Sequence, residues 1–156
     1  MATENDRIVI GSDHAGFALK EHLKRHLDTL GIPYRDVGAA TADPQDDYPV
    51  YASRVGELVS NGTCTRGIGV CGAGIGASIT LNRFVGVRAA LCTSVEMAQL
   101  SRKHNDSNVI VFGGRLTRPE EAAAMLDAWL KTGFEGGRHQ RRVEQMDEIG
   151  RRQRSI

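Results

Sequence analysis

Short apolar runs alternate with longer amphipathic stretches along most of this 156-residue chain. The first run, Arg7-Ile-Val-Ile-Gly11, has the continuous apolar character of a buried strand. Behind it Phe17, Leu19, Leu23, Leu27 and Leu30 recur near helical spacing, and Gly31 supplies the stop at C′. Tyr34-Arg-Asp-Val37, after Pro33, predicts a weaker second strand. The polar loop from Ala39 to Tyr48 leads to Pro49, a favourable N1 residue for a helix carrying Val50, Val55, Leu58 and Val59. The third unit is Gly67-Ile-Gly-Val-Cys71, then Gly72-Ala-Gly-Ile-Gly76, then a short helix to about Arg83. Val87 to Cys92 reads as a fourth strand. Thr93 and Glu96 fit a capping box that opens a helix ending near Lys103. Asn108-Val-Ile-Val-Phe112 predicts a fifth strand, closed by Gly113-Gly114. Pro119, Glu120 and Glu121 form the first turn of a helix with Met125, Leu126, Trp129 and Leu130 on its apolar side.

This alternation predicts one domain of the α/β class: a Rossmann-like, doubly wound, five-stranded parallel sheet with helices on both faces. Ligands of such folds bind beyond the carboxyl ends of the strands. From Phe134 the pattern changes. Gly136-Gly137 breaks the chain, and Val143, Met146 and Ile149 make only a narrow stripe on a highly charged helix. Residues 134–156 therefore read as a C-terminal arm suited to docking on a partner subunit rather than to filling a core.

Composition narrows the function classes. A 40% hydrophobic and 25% charged chain with net charge +1 gives no global argument for nucleic acid or membrane binding. The cysteines, Cys64, Cys71 and Cys92, are odd in number and form no C-x-x-C pair, against a disulfide framework or zinc site. Met1 to Arg7 lacks the apolar stretch of a signal peptide, and no apolar run approaches spanning length, so the cytoplasm is the expected location. Eighteen glycines are many for this length, and they cluster at the predicted strand ends.

The chemistry is expected at those ends. The first strand runs into Gly11-Ser-Asp-His-Ala-Gly16, the third into Cys71-Gly-Ala-Gly-Ile-Gly76 and the fifth into Gly113-Gly-Arg115. The helix after the fourth strand ends in His104-Asn105-Asp106, and the expectation is that all these groups share one crevice. Glycines expose backbone N–H groups at a helix start, a ready site for an anion or enediolate. A thiol at such a start is favoured as thiolate and suits proton abstraction. The competing reading makes Cys71 a small buried strand residue and gives the glycines to a nucleotide phosphate. The run G-A-G-I-G is not a clean dinucleotide fingerprint. Asp13 and His14 suit proton traffic on sugar hydroxyls or a phosphate contact, or an Asx turn with a solvent-facing His. His104 suits general acid–base work or a helix C-cap. Arg138 and Arg142, four apart, can clamp one dianion or form a solvated basic face. His22 and His26 read as exposed helix histidines, Cys64 and Cys92 as loop or core thiols.

Taken in order, these pieces resemble one family, the ribose-5-phosphate isomerase B and galactose-6-phosphate isomerase group. They are Gly-Ser-Asp-His-Ala-Gly at 11–16, Asp-Asp-Tyr-Pro at 46–49, Cys-Gly-Ala-Gly-Ile-Gly at 71–76, Asn82, the run 98–106, Phe-Gly-Gly-Arg at 112–115, and Gly-Gly-Arg-His-Gln-Arg-Arg-Val at 136–143. The resemblance implies an aldose–ketose isomerase, without metal or other cofactor, working through an enediol(ate). It implies Cys71 as base, His104 with Asp13 assisting ring opening, and His14, Arg138 and Arg142 on the phosphate, with Arg115 a further anion contact. It places Tyr48 and Asn105 on the sugar and the amides of Gly72, Ala73, Gly74, Ile75 and Gly76 around the enediolate. It also implies a homodimer, sometimes paired into a tetramer, whose sites share residues across the interface. Many relatives carry Thr or Ser where this chain has Ala73, and a branch with a Glu base carries it where this chain has Ala77. The expected reaction is interconversion of ribose 5-phosphate and ribulose 5-phosphate. The alternatives are the same chemistry on allose 6-phosphate, galactose 6-phosphate or a tetrose 4-phosphate, or an anion-binding module without turnover.

Overall fold

The structure, a computed structural model, describes residues 7–155. The polar segment preceding Arg7, read above for targeting signals, lies outside the described residues. The order is β1 (Ile8–Ser12), a 3-10 turn (His14–Gly16), α1 (Phe17–Thr29), β2 (Tyr34–Asp36), α2 (Tyr48–Ser60), β3 (Arg66–Cys71) and α3 (Ile75–Leu81). It continues with β4 (Ala89–Leu91), α4 (Val95–Asn105), β5 (Val109–Gly113), α5 (Pro119–Lys131) and α6 (Arg138–Arg154). The five strands form one sheet in the order β2-β1-β3-β5-β4, with every pairing parallel. The chain moves outward from β1 to β2, then returns past β1 to start β3. That reversal opens the crevice between β1 and β3, where an open α/β sheet takes its ligand.

The period of two along the strands divides the core into two layers. Ile8, Ile10, Ile68, Val70, Ile110 and Phe112 face α1, α4 and α5, where Leu23, Leu27, Leu126 and Trp129 are buried with them. Val9, Cys71, Val109 and Val111 face α2 and α3, packing with Val55, Leu81 and Ala77. Cys71 thus belongs by alternation to the second layer. The glycines of β3 make that layer thin. A Cβ at Gly69 would lie 2.9 Å from Leu81, and one at Gly67 2.8 Å from Val55. Larger residues there would push α2 and α3 off the sheet.

Several local expectations shift by a residue or two. β4 is shorter than Val87–Cys92 because it is the outer strand, and its open edge is taken by a side chain. The Ala89 N–H donates to Asn82 Oδ1 (2.8 Å) and Asn82 Nδ2 donates to the Ala89 carbonyl (3.0 Å). That occupies the free edge in place of another strand. The cap of α4 is Ser94, not Thr93: Ser94 Oγ accepts from the Met97 N–H, while the Thr93 hydroxyl lies against Met97 Sδ. His26 is not a free surface histidine. Its Nε2 lies 2.7 Å from Asp127 Oδ1, tying α1 to α5. Lys20, unremarked in the pattern, is fully buried, with its Nζ 2.8 Å from both oxygens of Asp36. Burial of that carboxyl is outweighed by hydrogen bonds from Lys20 and Lys24, which hold it below the ordinary carboxylate range.

Gly136 and Gly137 both take positive φ (68° and 56°), and α6 begins at once. Its inner side buries His139 and Val143, and Asp147 fixes it by accepting from Arg88 Nη1 (3.0 Å). Met146 and Ile149 remain outside at 43% and 51% exposure. Among the described residues no helix is long and apolar enough to cross a membrane.

Candidate active site

Two groups of the residues singled out from the sequence emerge, at opposite edges of the sheet. The first lies at the carboxyl edge, around Cys71. Beyond β3 and β5 the chain keeps pairing: the Gly114 N–H donates to the Cys71 carbonyl (2.8 Å) and the Arg115 N–H to the Gly72 carbonyl (3.0 Å). This knits the loop 71–76 to the loop 113–115. The fit leaves no room for side chains, since a Cβ at Gly113 would lie 2.7 Å from the Ala73 carbonyl group and one at Gly114 2.7 Å from the Ala15 oxygen. Gly74 holds φ +79° and sits within 2.5 Å, by the same measure, of Leu91 Cδ1. Both the left-handed backbone and the close approach demand glycine there.

Polar side chains border this floor. The Arg115 guanidinium passes beside Gly72, where a Cβ would be 3.3 Å from Nη1, and the Tyr48 ring lies against Gly76 at the start of α3. Asp13 is buried and caps the turn, its Oδ1 accepting from the Gly16 N–H (3.0 Å). His14 Nδ1 is 2.6 Å from Asp46 Oδ1, which also accepts from the His14 backbone N–H (3.1 Å). Cys71 is a free thiol at 4% exposure. The other thiols are held protonated: burial pushes Cys64 up, and Cys92 up to about 11.

The second group lies at the amino edge. α4 runs back over the sheet, and its eleven residues span about 16 Å. Its end is fixed beside the start of β4 and β5: Arg88 Nε donates to the Asp106 carbonyl (3.1 Å), and the Asn108 N–H to the Arg88 carbonyl (3.1 Å). His104 and Asn105 therefore do not enter the Cys71 crevice, and Asp13 is not their neighbour. The expectation of one shared crevice is corrected on this point, because a helix following a parallel strand returns toward the opposite edge. Against His104 stacks His139, the ring centroids 4.3 Å apart and the planes 12° from parallel. The Glu135 N–H donates to the Lys103 carbonyl (3.1 Å), and its carboxylate lies 3.6 Å from His139 Nε2. Burial, the facing His104 and Arg138 hold His139 below the ordinary histidine value. His104, Glu135 and His139 are close enough to hold a cation. Yet the parallel rings aim their lone pairs side by side rather than at one point, so the trio is arranged as a stack. Arg138 and Arg142 are exposed on the first turns of α6.

Sequence reasoning missed two residues. Asp46 was visible only as part of Asp-Asp-Tyr-Pro, and nothing local ties it to a histidine 32 positions away. His139 lies between the two candidate arginines, and its four-residue spacing from Val143, on the apolar stripe of α6, was the signal available.

Comparison with known proteins gives the family and the fold. The profile of the ribose/galactose isomerase family matches residues 8–146. The chain is 45% identical over 146 residues to ribose-5-phosphate isomerase B of Escherichia coli K12, covering 94% of this chain and 97% of that one. The structure of the Clostridium thermocellum ribose-5-phosphate isomerase B superposes with a TM-score of 0.91 at 42% identity, covering 94% and 98% of the two chains. That of Mycoplasma genitalium, solved with bound ribulose-5-phosphate, gives 0.89 at 37% identity, covering 93% and 96%.

Proposed function

The chain belongs to the ribose/galactose isomerase family, and we propose that it interconverts ribose 5-phosphate and ribulose 5-phosphate with Cys71 moving the proton. The observation that carries the reading is the knitted floor around Cys71, where one thiol meets a glycine loop, Arg115 and His14 at the crevice between β1 and β3. In the open-chain aldose, the Cys71 thiolate takes the proton from C2. The electron pair forms the C1–C2 double bond and leaves the charge on O1, an enediolate; the O2 hydroxyl proton then passes to O1, moving the charge to O2. Return of the proton from Cys71 to C1, as the C2–O2 bond becomes the carbonyl, yields the ketose. Substrate and product are isomers, so no electron acceptor is consumed. The loop amides of residues 72–76 stabilise the developing oxyanion, a contribution that grows as charge develops. Ala73 offers only its N–H, so a water or backbone donor serves the oxygen that a hydroxyl serves in many relatives.

His104 opens the furanose ring, and Arg138 and Arg142 bind the phosphate, each pair of groups acting on the Cys71 crevice of a second protomer. Two features support such a homodimer. The amino-edge group has a base and two cations without a reacting centre, and the carboxyl-edge group has the thiol without enough cations for a dianion. Moreover, Ile75 and Ile79 on α3 and Met97 and Leu100 on α4 stand exposed on either side of the edge strand β4. An isologous interface that covers this strip brings each amino-edge group to the partner. Action on a soluble phosphosugar fits a cytoplasmic enzyme.

A substrate panel tests the reading. With EDTA present, ribose 5-phosphate is expected to give the highest kcat/KM, ahead of allose 6-phosphate, galactose 6-phosphate and a tetrose 4-phosphate. A hexose phosphate ranking first moves the substrate while keeping the chemistry; no turnover of any member overturns the reading.

A further inference from the structure

The contact between His14 and Asp46 has no part in the proton transfer described above, yet it is a short polar link across the rim of the crevice. Asp46 sits in an otherwise exposed loop, but its side chain is only 10% exposed. One oxygen, Oδ1, accepts from both the backbone and the ring of His14 (3.1 and 2.6 Å). The other, Oδ2, is buried without a hydrogen-bond partner among the described residues. A carboxylate held this way is costly unless the charge it faces repays it. Asp13, the other acid beside the ring, is already committed to the Gly16 N–H.

An ionised carboxylate only accepts, so the short contact requires a proton on His14 Nδ1. Nε2 is then the nitrogen left for a ligand. In the neutral ring Nε2 is an acceptor, and it repels a phosphate oxygen. It donates to phosphate only when both nitrogens carry protons. We propose that Asp46 is the positioning residue of His14: it fixes the Nδ1–H tautomer and supplies the countercharge that keeps the ring a double donor when a phosphate dianion lies at Nε2. This rests on the reading of His14 as a phosphate-side contact in the isomerase site.

The test compares Asp46→Asn, His14→Asn and the double variant in the intact protein. Two readouts are used: imidazole nitrogen NMR, with inorganic phosphate as the probe, and the split between KM and kcat. In the wild type, His14 is expected as the Nδ1–H tautomer without phosphate and as the doubly protonated ring with it. Asn can donate to Nδ1, so Asp46→Asn is expected to populate the Nε2–H tautomer, which still donates to phosphate but without the imidazolium charge, and so to raise KM by about tenfold, with kcat changed far less. The double variant is expected to be no weaker than His14→Asn alone. Additive losses in the double variant, or an unchanged tautomer in Asp46→Asn, reduce Asp46 to a loop anchor and overturn the proposal. Where Asp46→Asn does not fold, an Nε2–H ring in the wild type overturns it equally. The NMR readout needs no turnover. An inactive wild type that shows the tautomer switch would sink the isomerase reading and leave this one standing.

Discussion

The two groups at the edges of the sheet differ in how they are held. Around Cys71 the parts come from strand ends, locked by backbone hydrogen bonds between loops and by contacts that admit no Cβ. Around His104 they come from a helix end and a C-terminal arm, with Arg138 and Arg142 in solvent and the arm held through His139, Val143 and the Arg88–Asp147 pair. The carboxyl-edge group is tightly packed, and on the proposed function it holds the reacting thiol. The amino-edge group is more exposed and carries two arginines, and on the proposed function it holds what grips and opens a sugar phosphate. On the proposed function, chemistry that needs exact placement lies on strand ends, while charge that needs only to reach lies on an arm. Each group alone is half of a site.

The largest expected effect comes from breaking the first group and then repairing it with the second. Cys71→Ala should lower kcat by at least ~10²–10⁴-fold with phosphate affinity kept. His104→Asn should fall similarly for cyclic substrate. Mixing and refolding these two inactive variants in equal amounts should restore about a quarter of wild-type activity, because half the dimers are mixed and each has one intact site. No recovery on mixing would place both residues in one protomer's site and refute the shared arrangement.

A smaller effect separates grip from chemistry. Arg142→Ala is expected to raise KM about tenfold to a hundredfold, the loss of one charge-assisted hydrogen bond, with kcat less affected. Steady-state kinetics on ribose 5-phosphate read this directly. An equal fall in kcat and kcat/KM would move that arginine to the reacting end.

The smallest effect is on stability. His139 is held below its ordinary value of 6.5 in the folded chain, by burial first and then by His104 and Arg138. Below about pH 6.5 the unfolded chain therefore binds more protons than the folded one, and stability falls with pH through that window. Thermal melting from pH 7.5 to 5 should show the decline, and His139→Gln should flatten it. A decline unchanged in the variant would assign it elsewhere.

How much of this was legible in the sequence varies with the range of the interaction. The alternation in Ile8–Ser12, Arg66–Cys71 and Val109–Gly113 announced the parallel sheet, and glycines after each strand announced the floor of the site. β4 was overextended because the pattern carries no sign that Asn82 occupies its edge. The placement of His104 was misjudged because its turn follows a helix, not a strand, and the helix carries it back across the sheet. The link between Asp46 and His14 was invisible for a different reason. Its register depends on how the loop 39–47 closes over the sheet, and hydrophobic period records nothing about polar loops.

The sequence by itself determined the order of elements, the face that each residue covers and the thiol set in its glycine loop. These follow from local periodicity and local backbone sterics. Only the tertiary structure decided which edge each functional residue reaches and which polar groups pair across the crevice. Those depend on loop closure and on the return direction of helices, which local periodicity does not record.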